Sequence, residues 1–431
     1  MSNVSGFPEW LPEQRMVELK WMDEIRRIFE SYGFCSIETP SVEEIEILLA
    51  KGETDKEIYA VRRLQTDDEA SGPRLGLHYD LTVPLARYVA EHFHDLVFPF
   101  KRYQIQRAWR GERPQEGRFR EFYQCDIDVI NIDQVPLHFD AEMPAIMYDI
   151  LHRLDVGSFQ IHVSNRKILE GYLRGLGIEH TVSAIRILDK LDKIGEDGVL
   201  SLLQTEMALS REVGLRCLAL AAIRTTDLSF TERVRELGVE SALLSEGLEE
   251  LEFVLNELSV LPQGTILADL SIARGLDYYT GTIYETKLLE FPHYPTVCAG
   301  GRYENLTGAF INRKLPGVGM TLGLTRLFAK LVTEKRLRIG PTCPTQVLVI
   351  FPRAERREEA TFTTKLLRER GLNVEMYHTP GKIAQQIRYA SRKGIPYVWF
   401  PPFEKDGVHE IKDMITEKQV VANPKTWSPA R

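Results

Sequence analysis

The chain has 431 residues, 43% hydrophobic and 27% charged, a globular composition with length for two or three domains. Its formal net charge of −8 excludes a general basic nucleic-acid binder, so any RNA contact must come from a local basic patch. Five cysteines (Cys35, Cys125, Cys217, Cys298 and Cys343), with no CxxC pair, argue against a disulfide framework or a zinc knuckle. The opening MSNVSGFPEW has no basic segment ahead of an apolar core, and no apolar run approaches the roughly 20 residues that span a bilayer. A cytoplasmic protein with no membrane partner is expected.

Residues 11–32 read as a helix, with Pro12 in the first turn and Met16, Leu19, Met22, Ile25, Ile28 and Phe29 near helical spacing. Gly33 stops it, and residues 34–37 read as a strand. In the stretch LGLHYDLTVPLARYVA (75–90), Asp80 and Thr82 fall on one strand face, followed by a break at Pro84 and a helix. A carboxylate and a hydroxyl there can hold an ammonium group; alternatively they cap the helix start.

The most informative text is 98–130. Two aromatic-rich runs, 98–109 and 119–130, flank RGERPQEGR, in which Pro114 and Gly117 supply turn chemistry. A long antiparallel hairpin follows, with Arg110, Arg113, Arg118 and Arg120 near its mouth and Glu112, Glu116 and Glu121 interleaved. Guanidinium forks bind phosphate oxygens in pairs. Gln124, Asp126 and Asp128 lie deeper on the second strand and share one face, because strand side chains repeat every second residue. Polar groups in a core are costly unless something polar is held there. The pattern reads as an anion and polar-ligand site, the bland alternative being a solvated surface hairpin.

Further on, residues 133–154 read as a core helix whose start carries Asp140 and Glu142. A strand is expected at 159–164, and Leu-, Glu- and Arg-rich helices fill 166–258. The stretch ILADLSIARGLDYYTGTIYET (266–286) reads as a strand ending at Arg274–Gly275, a turn at Gly281 and a second strand. VCAGGRYENL (297–306) places Gly300 and Gly301 where a backbone approaches a ligand or bulges. GVGMTLGLTRL (317–327) reads as a strand passing into a helix that carries Arg326. After the Pro- and Gly-containing linker 336–344, β and α elements alternate, and one helix bears Lys382, Arg388, Arg392 and Lys393.

WRGERPQEGRFREFYQCDID resembles motif 2 of the class II aminoacyl-tRNA synthetases, in the form used by the histidyl-tRNA synthetase family. RGLDYYTG and CAGGRY resemble two signatures of that family. The helix and strand of 11–37 resemble class II motif 1, which forms the family's dimer interface, and GVGMTLGLTRL resembles motif 3. His78 stands where the family commonly has Arg, and SGFPEW where it often has RGxxD. The resemblance implies an α+β fold: a class II antiparallel sheet flanked by helices (1–335), a helical insertion (166–258) and a C-terminal α/β anticodon-binding domain (345–431).

It also implies roles. Arg110 and Arg274 would be catalytic at the α-phosphate of ATP, with Glu112 and Arg118 also on ATP and Arg326 on its γ-phosphate. Asp80, Thr82 and Gln124 would hold the amino group of L-histidine, Arg274 its carboxylate, and Asp128, Tyr278 and Tyr279 its imidazole. Arg113 and Gln115 would approach the acceptor end of tRNA-His. Mg²⁺ is expected to accompany ATP without a dedicated protein cage, and a homodimer is expected. The rival readings are a catalytically silent, histidine-sensing regulatory paralogue of the ATP phosphoribosyltransferase system and a synthetase-like sensor of uncharged tRNA.

Overall fold

The structure is a computed structural model that describes residues 4–49, 57–64, 74–272, 279–305, 307–308, 310–402, 404 and 407–429. It divides into two compact units, Met1–Pro8 with Trp21–Arg336, and Glu9–Lys20 with Leu337–Arg431. Among the described residues no helix is long and apolar enough to cross a membrane.

Helix α1 (Pro12–Ser31) forms where its apolar period predicts, and Gly33, at φ 81°, ends it. The strand expected next shortens to β1 (Cys35–Ser36). A small three-stranded sheet follows, made of β2 (Val42–Glu44), β3 (Tyr59–Val61) and β4 (Leu75–Leu77), with the short helix α2 (Ile45–Leu48) after β2. Strand β4 ends before Asp80, and Thr82 opens helix α3 (Thr82–Glu91). Asp80 and Thr82 therefore lie at a helix start, not on a strand face. Pro84 does not break the chain; it sits in the first turn of α3, where a missing N–H costs nothing.

The predicted hairpin is present as β5 (Phe100–Trp109) and β6 (Glu121–Ile130), paired in antiparallel register from Phe100 opposite Ile130 to Trp109 opposite Glu121. Helix α4 (His138–Arg153) starts later than read, after Asp133 at φ 62°. Strand β7 (Phe159–Asn165) leads into the helical region: α5 (Arg166–Gly175), α6 (Thr181–Leu188), α7 (Leu191–Met207), α8 (Arg211–Ala221), α9 (Phe230–Glu236) and α10 (Ala242–Glu257). Ser210 and Ser241 cap α8 and α10 by accepting from Val213 and Leu244 N–H. One short strand interrupts these helices, β8 (Arg224–Thr225).

Strand β9 (Ile266–Asp269) ends five residues before Arg274, shorter than the reading of DLSIARG as a single strand. Strands β10 (Tyr279–Leu288), β11 (Cys298–Tyr303) and β12 (Gly317–Gly323) complete the main sheet, and helix α11 (Leu324–Thr333) follows. Gly281 makes no turn; it lies within β10, where the register with β11 shifts between Tyr279 and Ile283. The nine strands run in the order β1-β5-β6-β12-β11-β10-β7-β9-β8. Among the described residues of this sheet, only β1 with β5 and β7 with β9 pair in parallel; its remaining pairs are antiparallel.

Behind this sheet, Arg302 of CAGGRY forms a buried two-pronged pair with Asp140 of α4, its Nε 3.1 and 3.0 Å from the two carboxylate oxygens. Asp140 is thus more than helix-start chemistry: it fastens α4 to β11.

The second unit has a sheet of β13 (Val347–Val349), β14 (Val374–Met376), β15 (Tyr397–Phe400), β16 (Glu410–Asp413) and β17 (Gln419–Val421), in the order β14-β13-β15-β16-β17. Helices α12 (Arg357–Glu369) and α13 (Ile383–Lys393) are its crossovers, and Trp399 is fully buried in its core. On α13, Arg388 and Arg392 are exposed, as is Lys382 just before the helix. Lys393 leaves the basic face: its Nζ pairs with Glu375 at 2.8 Å.

Candidate active site

The hairpin positions the site. Gln115 and Arg118 exchange backbone hydrogen bonds across a tight turn, and Gly117 takes the φ of 72° that this turn requires. Gly117 O then accepts from Arg326 Nε at 2.7 Å, while Arg326 Nη1 donates to Thr296 O at 2.5 Å. Arg110 Nε donates to Tyr79 O at 3.0 Å, and its guanidinium lies 5.2 Å from the Phe122 ring centre. Arg118 pairs with Glu112 at 3.0 Å. Burial first, with Tyr294 opposing and the neighbouring Arg110 and Arg118 assisting, holds Arg326 below its ordinary value. Three guanidinium groups gathered in this way present the charge and forked donors that suit a polyanion.

Deeper in the sheet the polar faces of three strands meet. On β5 and β6, Arg102 stands opposite Asp128, Gln104 opposite Asp126, and Gln106 opposite Gln124. Across β6 and β12, Asp128 faces Gly319 and Asp126 faces Thr321. Arg102 is fully buried, 2.6 Å from Asp128 Oδ2 in an ion pair that falls short of an aligned hydrogen bond. Tyr303 OH donates to Asp128 Oδ1 at 2.9 Å. Asp128 comes so near β12 that a Cβ at position 319 would lie 2.1 Å from Oδ1, which explains Gly319. Burial pushes the Asp126 carboxyl up to about 7; Arg102 opposes this, and Asp128 adds to it.

The hairpin-mouth arginines, with Gln124, Asp126, Asp128, Tyr303 and Thr321, line one cleft of about 430 Å³, within the roughly 300–1,000 Å³ of small-molecule sites. Of the residues singled out in the sequence, it brings together Asp80, Thr82, Gln124, Asp128 and Tyr279 with Arg110, Glu112, Arg118 and Arg326. Asp80 also performs the capping role, since its Oδ1 accepts from Val83 N–H at 3.0 Å. Arg113 and Gln115 are exposed on the hairpin turn and do not line the cleft. Arg274 and Tyr278 lie outside the described residues.

His78 is buried, with its ring nitrogens 3.0 and 2.6 Å from the carbonyl oxygens of Pro40 and Arg107. It holds the approach to Asp80 against the hairpin.

Sequence reasoning missed Arg102, Tyr303, Glu285 and Thr321. Arg102 was detectable, because it continues the alternate-residue polar run of Gln104 and Gln106. Tyr303 shares a strand face with Gly301 of CAGGRY. Glu285 accepts from Thr296 OH at 3.0 Å and lines the cleft from β10; only strand pairing reveals it. Among the described residues no group of three or more His, Cys, Asp or Glu side chains is placed to hold a metal ion.

An antiparallel-rich sheet bearing a ligand cleft of this kind on its face is the fold of the class II aminoacyl-tRNA synthetases. Comparison with known proteins narrows the class. The family model described as histidyl-tRNA synthetase matches residues 6–327, and an anticodon binding domain model matches residues 346–422. The chain is 58% identical to a histidine–tRNA ligase of Thermobifida fusca (strain YX) over 426 residues, 99% of this chain and 97% of that protein. It is 47% identical to a histidine–tRNA ligase of Micrococcus luteus, covering 99% of this chain and 96% of that protein. The crystal structure of histidyl-tRNA synthetase from Nostoc sp. PCC 7120 matches with a TM-score of 0.88 at 37% identity, covering 98% of this chain and 96% of that one. The chain belongs to the histidyl-tRNA synthetase family.

Proposed function

We infer that the chain is a histidine–tRNA ligase: it activates L-histidine with ATP and transfers the histidyl group to the 3′ end of tRNA-His. The observation that carries this reading is one cleft with two chemistries. Carboxylates and Gln124 on the deep strand faces suit a small cationic amino acid, and Arg110, Arg118 and Arg326 at the hairpin mouth suit a triphosphate.

In the first step a histidine carboxylate oxygen attacks the α-phosphorus of ATP. The bond to the bridging oxygen breaks, giving histidyl-adenylate and pyrophosphate. In the second, a terminal ribose hydroxyl of the tRNA attacks the acyl carbon and AMP leaves. No covalent enzyme intermediate is needed, so positioning and charge stabilisation carry the rate. Arg110, held by Tyr79 O and Phe122, and Arg274 act at the α-phosphate, and Arg326 at the γ-phosphate. Glu112 and Arg118 also contact ATP. Asp80, Thr82 and Gln124 hold the amino group of histidine. Asp128 and Tyr279, with Tyr278, read the imidazole; Tyr303 and Arg102 keep Asp128 in place. Arg113 and Gln115, exposed on the turn, meet the acceptor end of the tRNA.

Outside the deep Asp80, Asp126 and Asp128 set, the cleft offers the carboxylates of Glu112 and Glu285. That donor set fits a Mg²⁺ carried mainly by phosphate oxygens, where the ion would neutralise phosphate charge. The reading includes a cytoplasmic homodimer. The arginine-lined cleft and the anticodon binding match favour the ligase over the regulatory paralogue. Incubation with labelled histidine, ATP and tRNA is the test: ATP-dependent attachment of histidine to tRNA is expected, and no attachment refutes the reading.

A further inference from the structure

Among the described residues, two buried acceptor atoms of the cleft have no hydrogen-bond partner, Gln124 Oε1 and Asp126 Oδ1. They belong to the side chains at positions i and i+2 of β6, whose Cα atoms are roughly 7 Å apart, and these two side chains leave the strand on one face. A buried acceptor without a donor is costly, and two in one cavity point to a ligand that donates to both.

The surrounding groups define that ligand. Asp126, 2% exposed, is faced by Arg102 from β5, by Asp128 from its own strand, by Thr321 from β12, which hydrogen-bonds its carboxyl, and by Asp80 ahead of α3. Arg102 lies 2.6 Å from Asp128, and Asp80 Oδ1 is taken by Val83 N–H. Asp126 and Asp128 thus share the charge of one buried arginine, and Asp80 adds a third carboxylate near Asp126. The missing partner is a cation with several N–H donors on one centre, and an ammonium group has three.

We propose that Asp126 is a further histidine-binding residue, taking the α-ammonium of the substrate together with Gln124. This rests on the reading of the cleft as a histidine site, and it adds a residue to that site. It carries a proton linkage. In the free protein, burial first and then Asp128 and Asp80, opposed by Arg102 and Thr321, place the Asp126 carboxyl at about 7. An arriving ammonium favours the ionised form, so Asp126 gives its proton to the buffer as histidine binds. Histidine affinity therefore rises as pH increases toward 7 and levels off above it.

Calorimetric titration of L-histidine into the full chain at pH 7, in two buffers of different ionisation enthalpy, tests this. About half a proton released per histidine is expected from Asp126 in the wild type, and none from that position in Asp126→Asn. The variant should bind histidine about tenfold or more weakly at pH 8, with a smaller deficit at pH 6. The wild type alone gives a second readout: the α-hydroxy analogue of histidine, which lacks the ammonium, should bind without that release. Equal proton release by wild type and variant, or by histidine and its analogue, overturns the proposal. Failure of the wild type to bind histidine at all overturns the histidine site itself, and the proposal with it.

Discussion

Replacing Asp126 by Asn tests how the folded protein holds that carboxyl. Burial moves it from 3.8 to about 7 in the folded chain. Between those values the folded chain keeps a proton that the unfolded chain has released. The stability contributed by this residue therefore falls as pH rises from about 4 to about 7 and is constant above. At 1.36 kcal/mol per pH unit, the interval from pH 5 to pH 7 is worth about 2.7 kcal/mol. Asn does not titrate. The stability of the variant minus that of the wild type should grow by that amount between pH 5 and pH 8, whatever fixed cost the amide brings beside Arg102. Urea unfolding of both proteins at the two pH values measures this, since the other titrating groups are common to both. The same difference at pH 5 and pH 8 would show that Asp126 ionises as an ordinary carboxylate and refute the reasoning.

Other outcomes follow from the same geometry. Asp128→Ala strands the buried Arg102 and should cost about 3–5 kcal/mol in urea unfolding. In steady-state kinetics it should raise KM for histidine with KM for ATP little changed; an unaltered histidine dependence contradicts the imidazole role. Arg326→Ala should raise KM for ATP by about tenfold or more while leaving histidine binding in place, since a charged hydrogen bond is worth about 1.5–3 kcal/mol; equal loss of both substrates argues against a phosphate role. Gly319→Ala puts a methyl group 2.1 Å from Asp128 Oδ1. Histidine binding by calorimetry should collapse, and normal affinity would mean that Asp128 is not held against β12 as described.

Much of this site is written locally. The hairpin declares itself through alternation on both strands and through Pro114 and Gly117, and the shared face of Gln124, Asp126 and Asp128 follows from the strand period alone. The helix start at Thr82 was harder to see. LHYDLT alternates like a strand, and Pro84 reads equally as a break or as a first-turn residue. Asp140 and Arg302 are 162 positions apart, so their pair depends on α4 packing behind β11, which no local pattern encodes. Tyr303 reaches Asp128 only through the order β6-β12-β11, a consequence of sheet topology. The expense of buried carboxylates was legible as a demand for a polar partner. That part of the demand is met from within, by Arg102, needed the register of β5 against β6.

The most direct measurement is exchange of labelled pyrophosphate into ATP by the full chain, with each amino acid in turn. Exchange stimulated by histidine alone is the expected result, because it requires one cleft to hold the amino acid and the triphosphate together and to form the adenylate. Saturable histidine binding with no exchange would contradict the ligase reading, and would make the arginines at the hairpin mouth those of a protein that senses histidine without activating it.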